Sequence, residues 1–115
     1  ENKKMAGFFT VGADSVECRL WVQYNGTDQS IRDDYNVSTI ADHGTGQHTV
    51  NFTVNMPNDD YCVAQSTGTV DGSNASGGLF VHSQSTSVVR TYNTNHGDQA
   101  KDRNLVCVAI FGAGA

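Results

Sequence analysis

Residues 35–54, YNVSTIADHGTGQHTVNFTV, constrain the fold more than any other stretch of the chain. The second arm alternates: Val50, Phe52 and Val54 fall on one face, Thr49, Asn51 and Thr53 on the other. A period of two marks a half-buried strand and does not fit a helix, where residues on one face recur every three or four positions. Between the arms lies Asp42-His43-Gly44-Thr45-Gly46, whose two glycines allow the positive φ angles of a reversal. The stretch therefore predicts a β-hairpin. Its first arm is less regular, because Val37 and Ile40 are three apart and cannot share a face of an unbroken strand. Either a bulge lies near Ser38 and Thr39, or Ile40 faces a second packing surface such as a neighbouring chain.

The remainder repeats the same grammar. Val16, Cys18, Leu20, Val22 and Tyr24 alternate with Glu17, Arg19, Trp21 and Gln23, leaving Trp21 as the odd apolar residue on a polar face. Asn25-Gly26-Thr27-Asp28 is a turn signal, and 29–34 reads as a short connector. Pro57, the only proline, suits a strand exit within 55–60. Residues 61–65 and 105–111 are apolar on both faces, which predicts central strands. Residues 79–81 and 87–92 read as another hairpin, and 66–78 and 93–104 as polar loops. No window has helical periodicity. About seven or eight short strands at ~8–12-residue spacing predict an all-β fold, an antiparallel β-sandwich of jelly-roll-like form. The expected organisation is a lead-in at 1–15 followed by one sandwich domain at 16–115.

Of the 115 residues only 37% are apolar, and 17% are charged. The core is thus lean, and association with other chains is expected to supplement it. A formal net charge of −5 argues against nucleic acid and against an anionic membrane surface, but not against neutral sugars. No apolar run reaches the ~18–20 residues of a membrane span, so no membrane insertion is expected. No leader is recognisable after Glu1, and the opening suggests a segment of something longer. Cys18, Cys62 and Cys107 lie in strand-like segments without zinc-ligand spacing. Buried free thiols are the first expectation, one disulfide with one free thiol the alternative.

Chemistry-bearing groups are sparse. His43, His48, His82 and His96 sit in or beside predicted turns, with no HxH or HExxH spacing. Asp42 and His43 could meet His48 across the hairpin, and His96 with Asp98 could reach a metal, but surface histidines are the expectation. Asp33-Asp34 and Asp59-Asp60 are adjacent pairs. Neighbours in a strand point to opposite faces, whereas glycosidase carboxylates must face each other at ~5–10 Å. No Gly-x-Ser-x-Gly elbow occurs. Asn-x-Ser/Thr triplets begin at Asn25, Asn36, Asn51 and Asn74, as chance allows in a chain this rich in those residues. No catalytic residue, metal ligand or cofactor is expected.

Four segments, CRLWVQYNGT, IRDDYNVSTIADHGTGQHTVNFT, NMPNDDYCV and VCVAIFG, resemble a domain found near the C-terminal end of bacteriophage tail-fibre and related virion proteins. The resemblance covers 18–63 and 106–112 and fades between 64 and 105. His43 stands where Asn would be expected in the Asp-x-Gly-Thr-Gly turn. The resemblance implies a homotrimeric virion protein, assembled in the host bacterial cytoplasm, that contacts other virion proteins and attaches to a host surface receptor such as a polysaccharide. Attachment would be non-enzymatic. Recognition would lie in loops 67–78 and 93–103, with Asp71, Asn74, Asn95, His96 and Asp98 as contacts and Tyr92 as a stacking platform. Trp21 and Ile40 would lie at the trimer interface. The alternatives are a purely structural trimerising or capping module of a fibre or capsid decoration, and a fragment of a capsule-degrading spike.

Overall fold

The computed structural model describes residues 10–11, 14–15, 17–72 and 77–112. Two short strands, β1 (Thr10–Val11) and β2 (Asp14–Ser15), pair with each other. The body is formed by β3 (Cys18–Tyr24), β4 (Ile31–Tyr35), β5 (Val37–Asp42), β6 (Gln47–Phe52), β7 (Tyr61–Gly68), β8 (Gly78–Gln84), β9 (Val88–Thr94) and β10 (Leu105–Gly112). They make two antiparallel sheets, ordered β4-β3-β10-β7 and β5-β6-β9-β8. No described residue is helical, and no helix is long and apolar enough to cross a membrane. The chain is a β-sandwich. Three connections, β3–β4, β5–β6 and β8–β9, join neighbours in one sheet; a jelly-roll arrangement is not shown by this order.

The core follows from the alternation. Leu20, Val22 and Tyr24 of β3 stand opposite Ile110, Val108 and Val106 of β10, and all six are buried. From the other sheet Val50 of β6, paired with Val89 of β9, and Phe52 close on them. Each such aliphatic side chain contributes about 1.5–3 kcal/mol by leaving water. Tyr61 fits its ring against Phe52 at 6.2 Å and donates its hydroxyl to the Ser85 carbonyl at 2.8 Å. Burial raises that phenol to about 12.

The first arm of the central hairpin resolves as a bulge. Pairing skips from Val37↔Phe52 to Thr39↔Asn51 and then Ile40↔Val50, so Ser38 is the extra residue. The bulge returns Ile40 to the face of Val37, and Ile40 packs on its own core. The alternative, in which Ile40 faces a second surface, is not needed to explain its phase. Val54, expected with Val50 and Phe52, is 67% exposed because β6 ends at Phe52.

Other expectations are corrected. The 29–34 connector, with Tyr35 of the predicted hairpin, forms β4, an edge strand; its Asp33-Asp34 pair hides the strand in the sequence. Residues 61–65 belong to the edge strand β7, not a central one, and their second apolar face, Cys62 and Ala64, is exposed. β10 is central as predicted. Cys18 leaves the phase of Leu20 because a bulge sets it opposite Phe111. The three cysteines are free, but Cys18 and Cys62 are exposed and Cys107 half-buried.

The sandwich turns between its sheets at one residue. Asn36 alone separates β4 from β5 and has φ +66, a conformation Asn adopts more readily than most residues. Its side chain donates to Arg19 O at 3.2 Å and Val54 O at 3.1 Å and accepts from Val54 N at 2.7 Å.

The two outer faces differ. On the β5-β6-β9-β8 sheet the outer face mixes Thr39, Asn51, Arg90 and Ser83 with Val88, Tyr92 and the exposed Phe80. On the other sheet, register aligns Tyr35, Trp21, Ala109 and Ala64 in one row, Gln23, Cys107 and Ser66 in the next, and Cys18, Phe111 and Cys62 in a third. Charge enters this face at its margins, with Asp33 opposite Gln23 and Arg19 at the bulge. Trp21 is 39% and Tyr35 57% exposed, and a shallow concavity of about 440 Å³ lies beside Trp21, floored by Ala64, Cys107 and Ala109.

Candidate functional site

The chain segregates its connections. Gly112 N donates to Glu17 O at 3.4 Å, so the first and last residues of the sandwich proper meet at one end. The Asn36 corner, the 53–60 connection and the 85–87 turn share that end, as Thr53 N→Asn36 O (3.0 Å) and Met56 N→Thr86 O (2.8 Å) show. At the opposite end lie the 25–30 turn, the 43–46 turn, the described residues 69–72 and 77 between β7 and β8, and the 95–104 connection. Hydrogen bonds stitch them together: Gly26 N→Arg103 O (2.7 Å), Asn93 N→Gly46 O (2.8 Å), Lys101 N→Asn93 O (2.9 Å) and Val70 N→Asn104 Oδ1 (3.0 Å).

A buried polar cluster underlies this loop end. His48, on β6 two residues before Val50, is only 1% exposed. Its Nδ1 lies 3.2 Å from the Tyr24 hydroxyl, which is 3.4 Å from Thr91 Oγ1. Its Nε2 lies 3.3 Å from Gln29 Nε2 and 3.7 Å from Asp102 Oδ1. The rings of Tyr24 and His48 meet edge to face at 5.5 Å. Gln29 Nε2 also donates to Gly26 O at 2.9 Å, which orients its amide nitrogen toward the cluster. Asp102 Oδ1 accepts Gly46 N at 2.6 Å. One histidine therefore touches two of the four connections, at Gln29 and Asp102, and Asp102 ties it to Gly46 of a third. Burial, the largest influence, pushes its imidazole below the ordinary value, against the pull of Asp102 and then Asp42. Burial likewise raises Tyr24 to about 12.

Of the residues expected to recognise a receptor, Asp71, His96 and Asp98 are exposed at this loop end. Asp98 holds φ +62. Asn95 lies there too, but its Oδ1 accepts Gly97 N at 2.8 Å and Gln99 N at 3.1 Å, so it builds the turn. Asn74 lies outside the described residues. Tyr92 is half-buried on the outer face of its sheet, opposite Phe80 and Gln47. Trp21 and Ile40 are on different sheets, the first exposed on an outer face and the second against the core.

The cluster itself was not legible as a site, because His48 reads as a turn residue. The missed signal is parity: His48 continues the face of Val50 and Phe52. Asp42 pairs directly with His48 across the hairpin, yet among the described residues no three His, Cys, Asp or Glu side chains converge as metal ligands do. The chain matches no family model, no curated protein and no solved structure.

Proposed function

We propose that the chain is a non-enzymatic attachment domain of a bacteriophage tail fibre, working as a homotrimer in the virion. It would be assembled in the host bacterial cytoplasm, and its loop end would bind a glycan or other receptor on the bacterial surface. The observation that carries this reading is the segregation of ends: Glu17 and Gly112 meet at one end, and the hydrogen-bonded group of turns that includes Gly26, Gly46, Val70 and Arg103 lies at the other. A domain held through its terminal end would present Asp71, His96 and Asp98 outward. Carboxylates and an imidazole suit hydroxyl-rich ligands by hydrogen bonding, and a net charge of −5 does not oppose neutral sugars.

Association is supported by the uncovered sheet face. Trp21, Tyr35, Ala64, Ala109 and Phe111 carry no charge that must be desolvated, and aromatic residues are enriched where interfaces form. Burying this face between copies would supplement the lean core. We assign Trp21, not Ile40, to that interface.

The test is binding of the isolated, fluorescently labelled domain to a panel of bacterial cells and their purified surface polysaccharides. Binding that falls when Asp71, His96 and Asp98 are changed together to Ala supports the reading. A stable trimer without affinity for any cell or glycan supports the second reading favoured by the same sheet face, a structural trimerising or capping module. Release of oligosaccharide from a bound polysaccharide would instead make the chain part of a degrading spike.

A further inference from the structure

We propose that Asn25 is a latent modification site: its side-chain amide can be lost through a cyclic imide formed with Gly26, and the loop-end hydrogen bonds hold that reaction shut. The inference rests on the 25–30 turn and its contact with Arg103, and depends on neither the receptor nor the oligomer.

The sequence sets the intrinsic reactivity. Asn25-Gly26 is the only Asn-Gly pair in the chain. An asparagine closes on the backbone nitrogen of the residue that follows it, and a side chain on that residue obstructs the approach. Glycine has none. Asn36, Asn51 and Asn104 precede Val37, Phe52 and Leu105, so the same closure is hindered there. In the reaction the Gly26 nitrogen gives its proton to hydroxide and bonds to Asn25 Cγ. The Cγ–Nδ2 bond breaks, and the side-chain nitrogen leaves as ammonia by taking a proton from water, which restores the hydroxide. Water then opens the five-membered imide at one of its two carbonyls. One opening leaves aspartate at position 25. The other leaves isoaspartate, whose main chain is longer by one methylene.

The fold restrains each group involved. Gly26 N, the attacking atom, donates to Arg103 O at 2.7 Å. Gly26 is buried, and a Cβ on it would stand 2.5 Å from Arg103 O and 3.2 Å from both His48 Cε1 and Val106 Cγ2. Neighbours thus close over the peptide that hydroxide must reach. Asn25 Oδ1 accepts Thr27 N at 2.8 Å, an Asx-turn that gives the side chain one orientation. Asn25 N donates to Ser30 O at 2.9 Å, and Asn25 O accepts Gln29 N at 2.7 Å, which fixes the backbone on both sides of that side chain. Removal of the Gly26 proton is the event that amide hydrogen exchange reads, and a buried, hydrogen-bonded N–H gives it up only from an opened state.

The product makes a transient opening permanent. An extra main-chain atom between residues 25 and 26 destroys the spacing by which Asn25 N reaches Ser30 O while Gly26 N reaches Arg103 O. The turn that joins β3 to β4 then no longer docks on the β9–β10 connection.

The experiment ages the unaltered whole chain in mildly alkaline buffer, folded and in guanidinium chloride, and follows each asparagine by mass spectrometry of its peptides. In denaturant Asn25 should convert faster than any other asparagine. In the folded chain it should convert at least about tenfold more slowly, the factor set by about 1.4 kcal/mol of local opening. That suppression should match the amide protection factor of Gly26. The isoaspartate form, isolated by its added charge, should lose exchange protection at Gly26 and Gln29 and keep it at Thr53 and Met56, which are hydrogen-bonded at the far end. Equal rates in the folded and denatured chains, a suppression well below the Gly26 protection factor, another asparagine leading in denaturant, or intact protection at Gly26 in the isoaspartate form would overturn the proposal.

Discussion

Replacing Gly46 by Ala probes the joint between the central hairpin and the loop end. Gly46 has φ +72, and an added Cβ would stand 2.4 Å from Asn93 O, 2.9 Å from Lys101 N and 3.1 Å from Lys101 O. All three are backbone atoms, so no side chain can swing aside. The left-handed conformation costs an L-residue about 1–2 kcal/mol. Relieving the clash separates 43–46 from 93–102 and severs Asn93 N→Gly46 O, worth about 0.5–1.5 kcal/mol. It also severs Gly46 N→Asp102 Oδ1, a bond to a charged group worth about 1.5–3 kcal/mol. The expected loss is roughly 3–6 kcal/mol. Gly44 is the control: its φ is +120, but no atom lies within 4 Å of a Cβ there, so Gly44→Ala pays backbone strain alone, about 1–3 kcal/mol. Urea denaturation of both variants should place Gly46→Ala below Gly44→Ala by about 2–4 kcal/mol. Equal losses would mean that the loop end does not rest on this contact.

Three further outcomes follow from other parts of the fold. Leu20→Ala, at a fully buried position, should cost about 2–5 kcal/mol by thermal or urea unfolding. Asn36→Gly keeps the positive φ but removes three side-chain hydrogen bonds; a loss of roughly 2–3 kcal/mol is expected, and Asn36→Ala should lose more because it adds strain. The His48 imidazole, pushed below its ordinary 6.5 chiefly by burial, makes the unfolded chain bind more protons than the native one. Its contribution is therefore fully present above about pH 6.5 and falls as pH drops through the depressed value, by at most ~1.4 kcal/mol per pH unit. Urea midpoints measured from pH 7.5 to 5 should show this slope in the unaltered chain and a shallower one in His48→Gln.

The strands were legible where one face is apolar and the other polar, as in β3 and β6, and β10 was legible as a run apolar on both faces. The Ser38 bulge was legible only as one of two remedies for the phase break between Val37 and Ile40; the other, a second packing surface for Ile40, is not what the pairing shows. β4 was not, because an edge strand can carry Asp33 and Asp34 without burying either against a second sheet. β7 reads as a central strand because apolar residues on both faces ordinarily mean burial on both. Here the second apolar face is the uncovered one. His48 was missed for a related reason: a polar residue type near a glycine-rich turn outweighed its parity with Val50 and Phe52. The exposed loop residues Asp71, His96 and Asp98 were identifiable by composition, but the hydrogen bonds that gather three turns beneath them join positions far apart in the chain. No spacing rule reaches from Gly26 to Arg103 or from Gly46 to Asp102.

The account joins an uncovered apolar sheet face to a loop end presented away from the meeting point of Glu17 and Gly112. Its most direct test is the mass of the protein in solution at micromolar concentration, by light scattering or sedimentation equilibrium, for the unaltered chain and for Ala109→Glu. Ala109 is half-buried beside Trp21 in the middle of that face, where a carboxylate can remain solvated in the single chain but not between copies. The account predicts three times the 12.3 kDa chain mass for the unaltered protein and a folded monomer for the variant. A monomeric unaltered chain, or a trimer indifferent to Ala109→Glu, would contradict it.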